Sequence, residues 1–104
     1  MFQEITTDSL QQEIEDGNLT FVQFTASWCG NCRMLKPTFK RMGQESEEHK
    51  FLIVDAEKFP DSRGLAEVDN LPTIAAFKEG KLLKQIQTNK PALLKTFVNE
   101  ITSH

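Results

Sequence analysis

The chain carries both of its cysteines in one stretch, Ala26-Ser27-Trp28-Cys29-Gly30-Asn31-Cys32-Arg33. An apolar run from Leu19 to Phe24 precedes this stretch, and a segment with the apolar spacing of a helix follows it. The pattern predicts a Cys-x-x-Cys pair at a junction between a strand and a helix. The other elements of the fold follow outward from that junction.

The strand before the cysteines, residues 19–25, is rich in β-branched and aromatic side chains, which is typical of a strand buried on both faces. Its one long polar side chain is Gln23. After the cysteines a helical pattern extends over residues 31–48 and contains Pro37. Because a proline inside a helix removes one backbone hydrogen bond, we expect a kink there.

The remaining segments predict three further helices and four further strands. We expect side-chain caps at the first turns of these helices, from Asp8, Asp61 and Asn89. Gly80 marks the tight turn of an antiparallel hairpin. The order β-α-β-α-β-α-β-β-α predicts an α/β fold with a central mixed sheet of about five strands, flanked on both faces by four helices. The strands are expected at 2–5, 19–25, 51–54, 73–78 and 82–87.

Length and composition restrict the class of protein. With 104 residues, 38% of them hydrophobic, the chain is expected to form a single domain over residues 1–104. A net charge of −3 provides no basic surface for nucleic acid. Neither a signal-peptide pattern nor a long apolar run occurs, so we expect a soluble, cytoplasmic protein without a membrane segment.

The two cysteines suit thiol-disulfide exchange, in which a thiolate attacks a disulfide and a second thiol resolves the mixed disulfide. Cys29 lies where the helix begins, and unpaired N–H groups there stabilise a thiolate. Cys32, one turn further on, is expected to be more buried. Arg33 and Lys36 add positive charge nearby, or are simply solvated helix residues. Trp28 is expected either in the core or partly exposed beside Cys29.

Three alternatives for the cysteine pair were weighed. A zinc site needs about four ligands, and the two histidines, His49 and His104, lack ligand spacing to the cysteines, so no metal is expected. A Cys-His hydrolase would need His49 near Cys29, yet His49 falls near the far end of the same helix and is expected at the surface. Inert buried thiols are the third alternative, and the Trp-Cys-Gly context disfavours it.

Five motifs occur in order along the chain: Trp28-Cys29-Gly30-Asn31-Cys32-Arg33, Pro37, Ile53-Val54-Asp55, Pro72-Thr73 and Phe77-Lys78-Glu79-Gly80. In these motifs the chain resembles the thioredoxin family over essentially its whole length, the first motif being Trp-Cys-Gly-Pro-Cys-Lys in the family. The resemblance implies the thioredoxin fold and a protein-disulfide reductase that binds no cofactor itself. It also implies that electrons come from a flavin- and NADPH-dependent thioredoxin reductase.

The resemblance further implies that the Leu71-Pro72 bond is cis and faces the two sulfurs, whereas without it a trans proline would simply open a strand. It assigns Cys29 as nucleophile and Cys32 as resolving thiol. The backbone of Leu71 would then pair with an extended substrate segment. The residues expected to contact substrate are Trp28, Gly30, Asn31, Leu71, Pro72 and Thr88.

Three residues depart from the family pattern. Gln23 stands where the family usually has a buried aspartate, and glutamine cannot titrate, so we expect slower resolution or a shifted pH dependence. Asn31 replaces a proline, and its N–H is expected to donate to the Cys29 sulfur and to move the reduction potential toward less negative values. Thr88 replaces a glycine and is expected to narrow the groove.

Three hypotheses for function follow. The first is a monomeric, general reductant of protein disulfides. The second is a reductant dedicated to one partner, such as a peroxiredoxin. The third is a thioredoxin-like binding module whose thiols only modulate affinity.

Overall fold

The computed structural model describes residues 1–103 and is built around a five-stranded sheet. The element order is the predicted one, with five strands and four helices among these residues. The elements are β1 (Phe2–Glu4), α1 (Leu10–Ile14), β2 (Thr20–Thr25), α2 (Gly30–Glu45), β3 (Lys50–Asp55), α3 (Pro60–Arg63), β4 (Thr73–Lys78), β5 (Lys81–Gln87) and α4 (Pro91–Thr102). No helix within residues 1–103 combines the length and the apolar character needed to cross a membrane.

The sheet is mixed, with the strand order β1-β3-β2-β4-β5. Strand β3 pairs in parallel with β1 and β2, whereas β4 runs antiparallel to both of its neighbours. Glu79 and Gly80 connect β4 to β5 with positive φ angles of 55° and 77°. Two consecutive positive φ angles match the right-handed twist of a hairpin. Strand β2 therefore lies at the centre of the sheet, and the cysteines follow its carboxyl end.

Each face of the sheet carries its own apolar layer, as the predicted fold requires. Helices α1 and α3 cover one face, and α2 and α4 cover the other. The first layer includes Leu10, Ile14, Val22, Phe24, Leu52, Val54, Ala75 and Phe77. The second includes Phe21, Leu35, Phe39, Phe51, Ile53, Ile74, Leu94 and Phe97. Burying one such large side chain stabilises the fold by about 1.5–3 kcal/mol.

Helix α2 is shorter than predicted, ending at Glu45 rather than near residue 48. Ser46 turns to an extended conformation, and its hydroxyl accepts a hydrogen bond from the His49 N–H at 3.1 Å. The side chain of His49 is 25% exposed and meets the Phe21 ring edge-on, so it lies partly at the surface and partly against the apolar layer. The 16 residues of α2 span about 24 Å between His49 and Cys29, which excludes a Cys-His catalytic pair.

The predicted helix caps were also wrong. The residues before α1, α3 and α4 are Ser9, Phe59 and Lys90, and none of their side chains caps its helix. The Asp8 carboxylate instead accepts hydrogen bonds from α3, 54 residues away. Its donors are the Ser62 hydroxyl at 2.6 Å, the Ser62 N–H at 2.7 Å and the Asp61 N–H at 3.0 Å. Sequence spacing cannot reveal such a cap, because its partners meet only in the folded chain.

Gly43 is the point of closest approach between α2 and the sheet. A Cβ atom there would lie 2.7 Å from the Cβ of Phe51 and 2.9 Å from that of Phe2. We therefore expect Gly43→Ala to lower the free energy of unfolding by about 1–3 kcal/mol in urea titrations. Gly64→Ala is the matched control, because its nearest neighbours are at 3.5 Å and its φ is −66°. It should be neutral or stabilise by up to about 1 kcal/mol. Equal effects of the two substitutions would contradict the close approach.

The Asp8 cap makes stability depend on acid pH. The Ser62 hydroxyl, followed by the N–H groups of Ser62 and Asp61, holds the pKa of Asp8 below its ordinary value of 3.8. Folding thus favours the charged carboxylate, so its contribution is present above that value and is lost as pH falls through the folded pKa. We expect Asp8→Asn to lower Tm at pH 7 and this difference to shrink by pH 2. Asp69→Asn, at an exposed loop carboxylate, should leave Tm unchanged throughout.

Candidate active site

Cys29 is the N-cap residue of α2, the position usually taken by serine, threonine, aspartate or asparagine. Its sulfur accepts a hydrogen bond from the Cys32 N–H at 3.2 Å. Its carbonyl accepts from the Arg33 N–H at 3.2 Å, and its own N–H donates to the Ala26 carbonyl at 3.1 Å. A sulfur at this position receives both an N–H donor and the positive end of the helix dipole, which stabilise a thiolate. The predicted place of Cys29 at the start of the helix is confirmed.

Cys29 and Cys32 are joined by a disulfide, with their Cα atoms 5.3 Å apart. Cys29 is 5% exposed and Cys32 is 1% exposed, so the first cysteine is the more accessible one, in the predicted order. A Cα separation of 5.3 Å is ordinary for a protein disulfide, so the pair can interconvert between a disulfide and a dithiol. That capacity distinguishes it from two inert thiols.

Leu71 and Trp28 border the disulfide in different ways. Leu71 packs against Ala26 and both cysteines, and its bond to Pro72 is cis, as the resemblance implied. Trp28 is 65% exposed, so the core placement is excluded and the exposed one is confirmed. An exposed aromatic ring and the cis Leu71–Pro72 bond thus both lie close to the cysteines.

Side chains from β4 and β5 hold the loop that carries Leu71. Gln85 forms two hydrogen bonds with the backbone of Glu67. Its Oε1 accepts from the Glu67 N–H at 2.9 Å, and its Nε2 donates to the Glu67 carbonyl at 2.8 Å. The Thr73 hydroxyl donates to the Asn70 carbonyl at 2.5 Å. None of these contacts was anticipated, because a glutamine on an exposed strand gives no sequence signal for a partner 18 residues away.

Asn31 contacts a different loop from the one expected. The N–H that donates to the Cys29 sulfur is that of Cys32, so the predicted bond from the Asn31 N–H was wrong. Instead, the Asn31 side chain accepts a hydrogen bond from Asn89 Nδ2 at 3.2 Å. Half-buried Thr88 accepts from the Lys90 N–H at 3.0 Å. The loop between β5 and α4 is thereby tied to the segment between the cysteines.

The two cationic side chains near the site, those of Arg33 and Lys36, form structural contacts within the fold. Arg33 Nη1 donates to the Ser27 carbonyl at 3.0 Å and so holds the loop before Cys29. Lys36 pairs with Glu4 at 2.8 Å on the surface, a contact worth about 0–1 kcal/mol. Gly30 is exposed, with Arg33 Nη2 3.9 Å from where a Cβ would lie, so nothing crowds the approach there.

Gln23 lies beneath α2 at the centre of the sheet and is 1% exposed. Its Nε2 donates to the Cys32 carbonyl at 3.1 Å. Its Oε1 is the one buried side-chain oxygen or nitrogen without a hydrogen-bond partner in the part of the chain that the structure describes. The sequence singled out this residue as a departure but could not show which atoms it contacts.

A mixed sheet that presents a disulfide-forming Cys-x-x-Cys pair at the start of a helix defines a thiol-disulfide oxidoreductase. Comparison with known proteins agrees with this class. The Thioredoxin family model matches residues 1–100. Thioredoxin from Oryctolagus cuniculus is 31% identical over 104 residues, covering 97% of this chain and 99% of the relative.

Solved structures share the same fold. Mitochondrial thioredoxin 3 from Saccharomyces cerevisiae, in its oxidised form, superimposes with a TM-score of 0.83 at 25% identity, covering 95% of this chain and 94% of that one. A chain from work on thiol resolution in yeast mitochondrial 1-Cys peroxiredoxin via glutathione and thioredoxin systems gives a TM-score of 0.82 at 23% identity, with 95% and 94% covered. The chain belongs to the thioredoxin family.

Family membership together with the Cys29–Cys32 pair makes the chain a dithiol oxidoreductase of the protein-disulfide reductase type. Thioredoxins carry out this exchange with cysteine sulfurs alone and need no bound cofactor. A thioredoxin-like module that only binds a partner is not favoured, because the redox pair is intact.

Proposed function

We propose that Cys29 is the attacking nucleophile and Cys32 the resolving thiol in the reduction of disulfides in other proteins. The observation that supports this order most directly is the hydrogen bond from the Cys32 N–H to the Cys29 sulfur at the start of α2. The same donor and the helix dipole stabilise a thiolate on Cys29, and Cys29 is also the less buried of the two.

The cycle transfers two electrons from this chain to the substrate. The Cys29 thiolate attacks one sulfur of a substrate disulfide, forms a mixed disulfide and releases the first substrate thiolate. The Cys32 sulfur, after losing its proton, attacks Cys29 and releases the second substrate thiolate. The substrate ends as a dithiol and the chain ends as the Cys29–Cys32 disulfide.

The surface around the disulfide forms the substrate site in this proposal. Trp28 provides an exposed ring, and the Leu71 backbone pairs with an extended substrate segment beside Pro72. Gly30 leaves the sulfurs approachable, while Asn31 and Thr88 border the other side.

The electron source and the setting are proposed from family membership. An NADPH-dependent flavin enzyme, thioredoxin reductase, returns the disulfide to the dithiol, and the chain acts as a monomer. It works in the cytoplasm as an electron carrier that maintains cellular redox balance. The family also includes mitochondrial members, and recovery of this chain in the mitochondrial fraction of cells would contradict the cytoplasmic setting.

A second candidate is a reductant dedicated to one partner, such as a peroxiredoxin. The Asn31–Asn89 hydrogen bond favours it, because it ties two loops together beside the cysteines. The fold similarity to a chain from work on a yeast mitochondrial 1-Cys peroxiredoxin makes this class of partner the first one to test.

Trapping tests the assignment of the two thiols. Cys32→Ser removes the resolving thiol, so covalent complexes through Cys29 should accumulate and be released by dithiothreitol in non-reducing gels. Cys29→Ser is the matched control and should trap little, since Cys32 is 1% exposed. Equal trapping by the two variants would contradict the assignment of Cys29 as nucleophile and Cys32 as resolving thiol.

The exposed ring of Trp28 should contribute to substrate binding more than to stability. Truncating a buried interface aromatic commonly costs about 1.4 kcal/mol or more, so we expect Trp28→Ala to lower kcat/KM for a protein disulfide about tenfold with Tm unchanged. Leu83→Ala, at an exposed apolar residue on β5, is the control and should leave kcat/KM unchanged.

The same assay separates the general from the dedicated reductant. Insulin and a peroxiredoxin disulfide are compared as substrates of the wild-type chain. Rapid insulin reduction supports the general role, whereas turnover confined to the peroxiredoxin supports the dedicated one.

A further inference from the structure

Gln23 is a buried polar side chain that the cycle described above leaves without a role. Its amide nitrogen is committed to the Cys32 carbonyl at 3.1 Å. Its amide oxygen, in a side chain only 1% exposed, has no partner among residues 1–103. A buried acceptor without a donor is costly, which calls for an explanation in a folded protein.

The surroundings of Gln23 restrict the donors that could reach it. In the sheet, Gln23 pairs with Ile53 of β3 and Ile74 of β4. Both isoleucines belong to the apolar layer that α2 covers with Leu35 and Phe39. Neither neighbouring strand therefore offers a side-chain donor beside the amide.

Cys32 is the residue of α2 that Gln23 already contacts through its amide nitrogen. In the disulfide, the Cys32 sulfur is bonded to Cys29 and carries no hydrogen to donate. After reduction it is an S–H group, a weak donor whose hydrogen can turn about the Cβ–S bond toward a nearby acceptor.

We propose that Gln23 is a positioning residue whose Oε1 accepts a hydrogen bond from the Cys32 thiol in the reduced protein. During reduction by a dithiol, the Cys29–Cys32 bond breaks, two electrons arrive from the reductant and the Cys32 sulfur takes up a proton. The reductant leaves as a disulfide. Gln23 Oε1 then accepts a hydrogen bond from that new S–H group, while Nε2 continues to donate to the Cys32 carbonyl.

The inference deepens the proposed cycle and rests on its interconversion of disulfide and dithiol. The oxygen is unpartnered only in the disulfide state and satisfied only in the dithiol state, so Gln23 favours the dithiol. A chain in which the dithiol is favoured is a weaker reductant.

Gln23→Met tests this effect, because methionine has a similar length but lacks both polar atoms. Equilibration with reduced and oxidised glutathione should show the disulfide of the variant favoured about tenfold more than that of the wild type, a shift of about −30 mV. The hydrogen bond from Gln23 Nε2 to the Cys32 carbonyl is lost from both redox states of the variant. Its loss therefore largely cancels in the equilibrium between disulfide and dithiol. A change below about twofold, or one in the opposite direction, overturns the proposal.

The S–H stretching band tests the hydrogen bond itself, without turnover. Cys29→Ser leaves Cys32 as the chain's one thiol, so the infrared band reports that residue alone. Adding Gln23→Met should raise its frequency, because a hydrogen-bonded S–H vibrates at lower frequency. An unchanged frequency overturns the proposal. If the frequency rises but the wild-type chain fails to reduce disulfides, the hydrogen bond is supported and only the proposed cycle is rejected.

Gln23→Glu provides a second variant should the methionine variant fold poorly. A neutral carboxyl group can donate to the Cys32 carbonyl and accept from the thiol, as the amide does. In the double variant Cys29→Ser, Gln23→Glu, we expect the S–H stretching frequency at low pH to equal that of Cys29→Ser alone. The frequency should then fall as the introduced carboxyl group ionises, because a carboxylate is a stronger acceptor. A band that does not respond to that ionisation overturns the proposal.

Discussion

The hydrogen bond from the Cys32 N–H to the Cys29 sulfur joins the architecture of the protein to its chemistry. It caps α2, the longest helix among residues 1–103, with the atom that also reacts. Strand β2 brings that atom to the middle of the sheet, and the apolar layer beneath α2 keeps the helix in place. A helix N-terminus is therefore both a structural end that needs a cap and a site that favours negative charge on sulfur.

Two loops beside the disulfide are held by different contacts. Gln85 holds the loop that bears Leu71 through two hydrogen bonds, one to the N–H and one to the carbonyl of Glu67. A single bond between two side-chain amides, those of Asn31 and Asn89, connects the loop between β5 and α4 to the segment between the cysteines. All three bonds are exposed, so each contributes little to stability by itself. The first loop is released only when both of its bonds break, whereas breaking one bond separates Asn31 from Asn89.

Local patterns predicted the element order, the mixed sheet and the start of α2 at the cysteines, whereas they left Trp28 open between the core and the surface. These features depend on neighbours in the sequence, such as alternation of apolar residues, the hairpin glycine and the Cys-x-x-Cys spacing. The end of α2 was missed because Ser46 redirects the chain. The partners of Asp8, Asn31 and Gln85 were missed because they lie 54, 58 and 18 residues away. Their polar side chains carry no signal that distinguishes a distant partner from water.

The contact between Asp8 and Ser62 also bears on how the chain folds. Helices α1 and α3 have only five and four residues, too few to be stable alone, and the Ser62 hydroxyl receives the Leu10 N–H while donating to Asp8. Each short helix therefore depends on the other. The intervening chain contains β2, α2 and β3, so the contact joins two segments that are distant in sequence and are brought together by the centre of the sheet. Loss of the contact between Asp8 and Ser62 therefore removes support from both short helices at once.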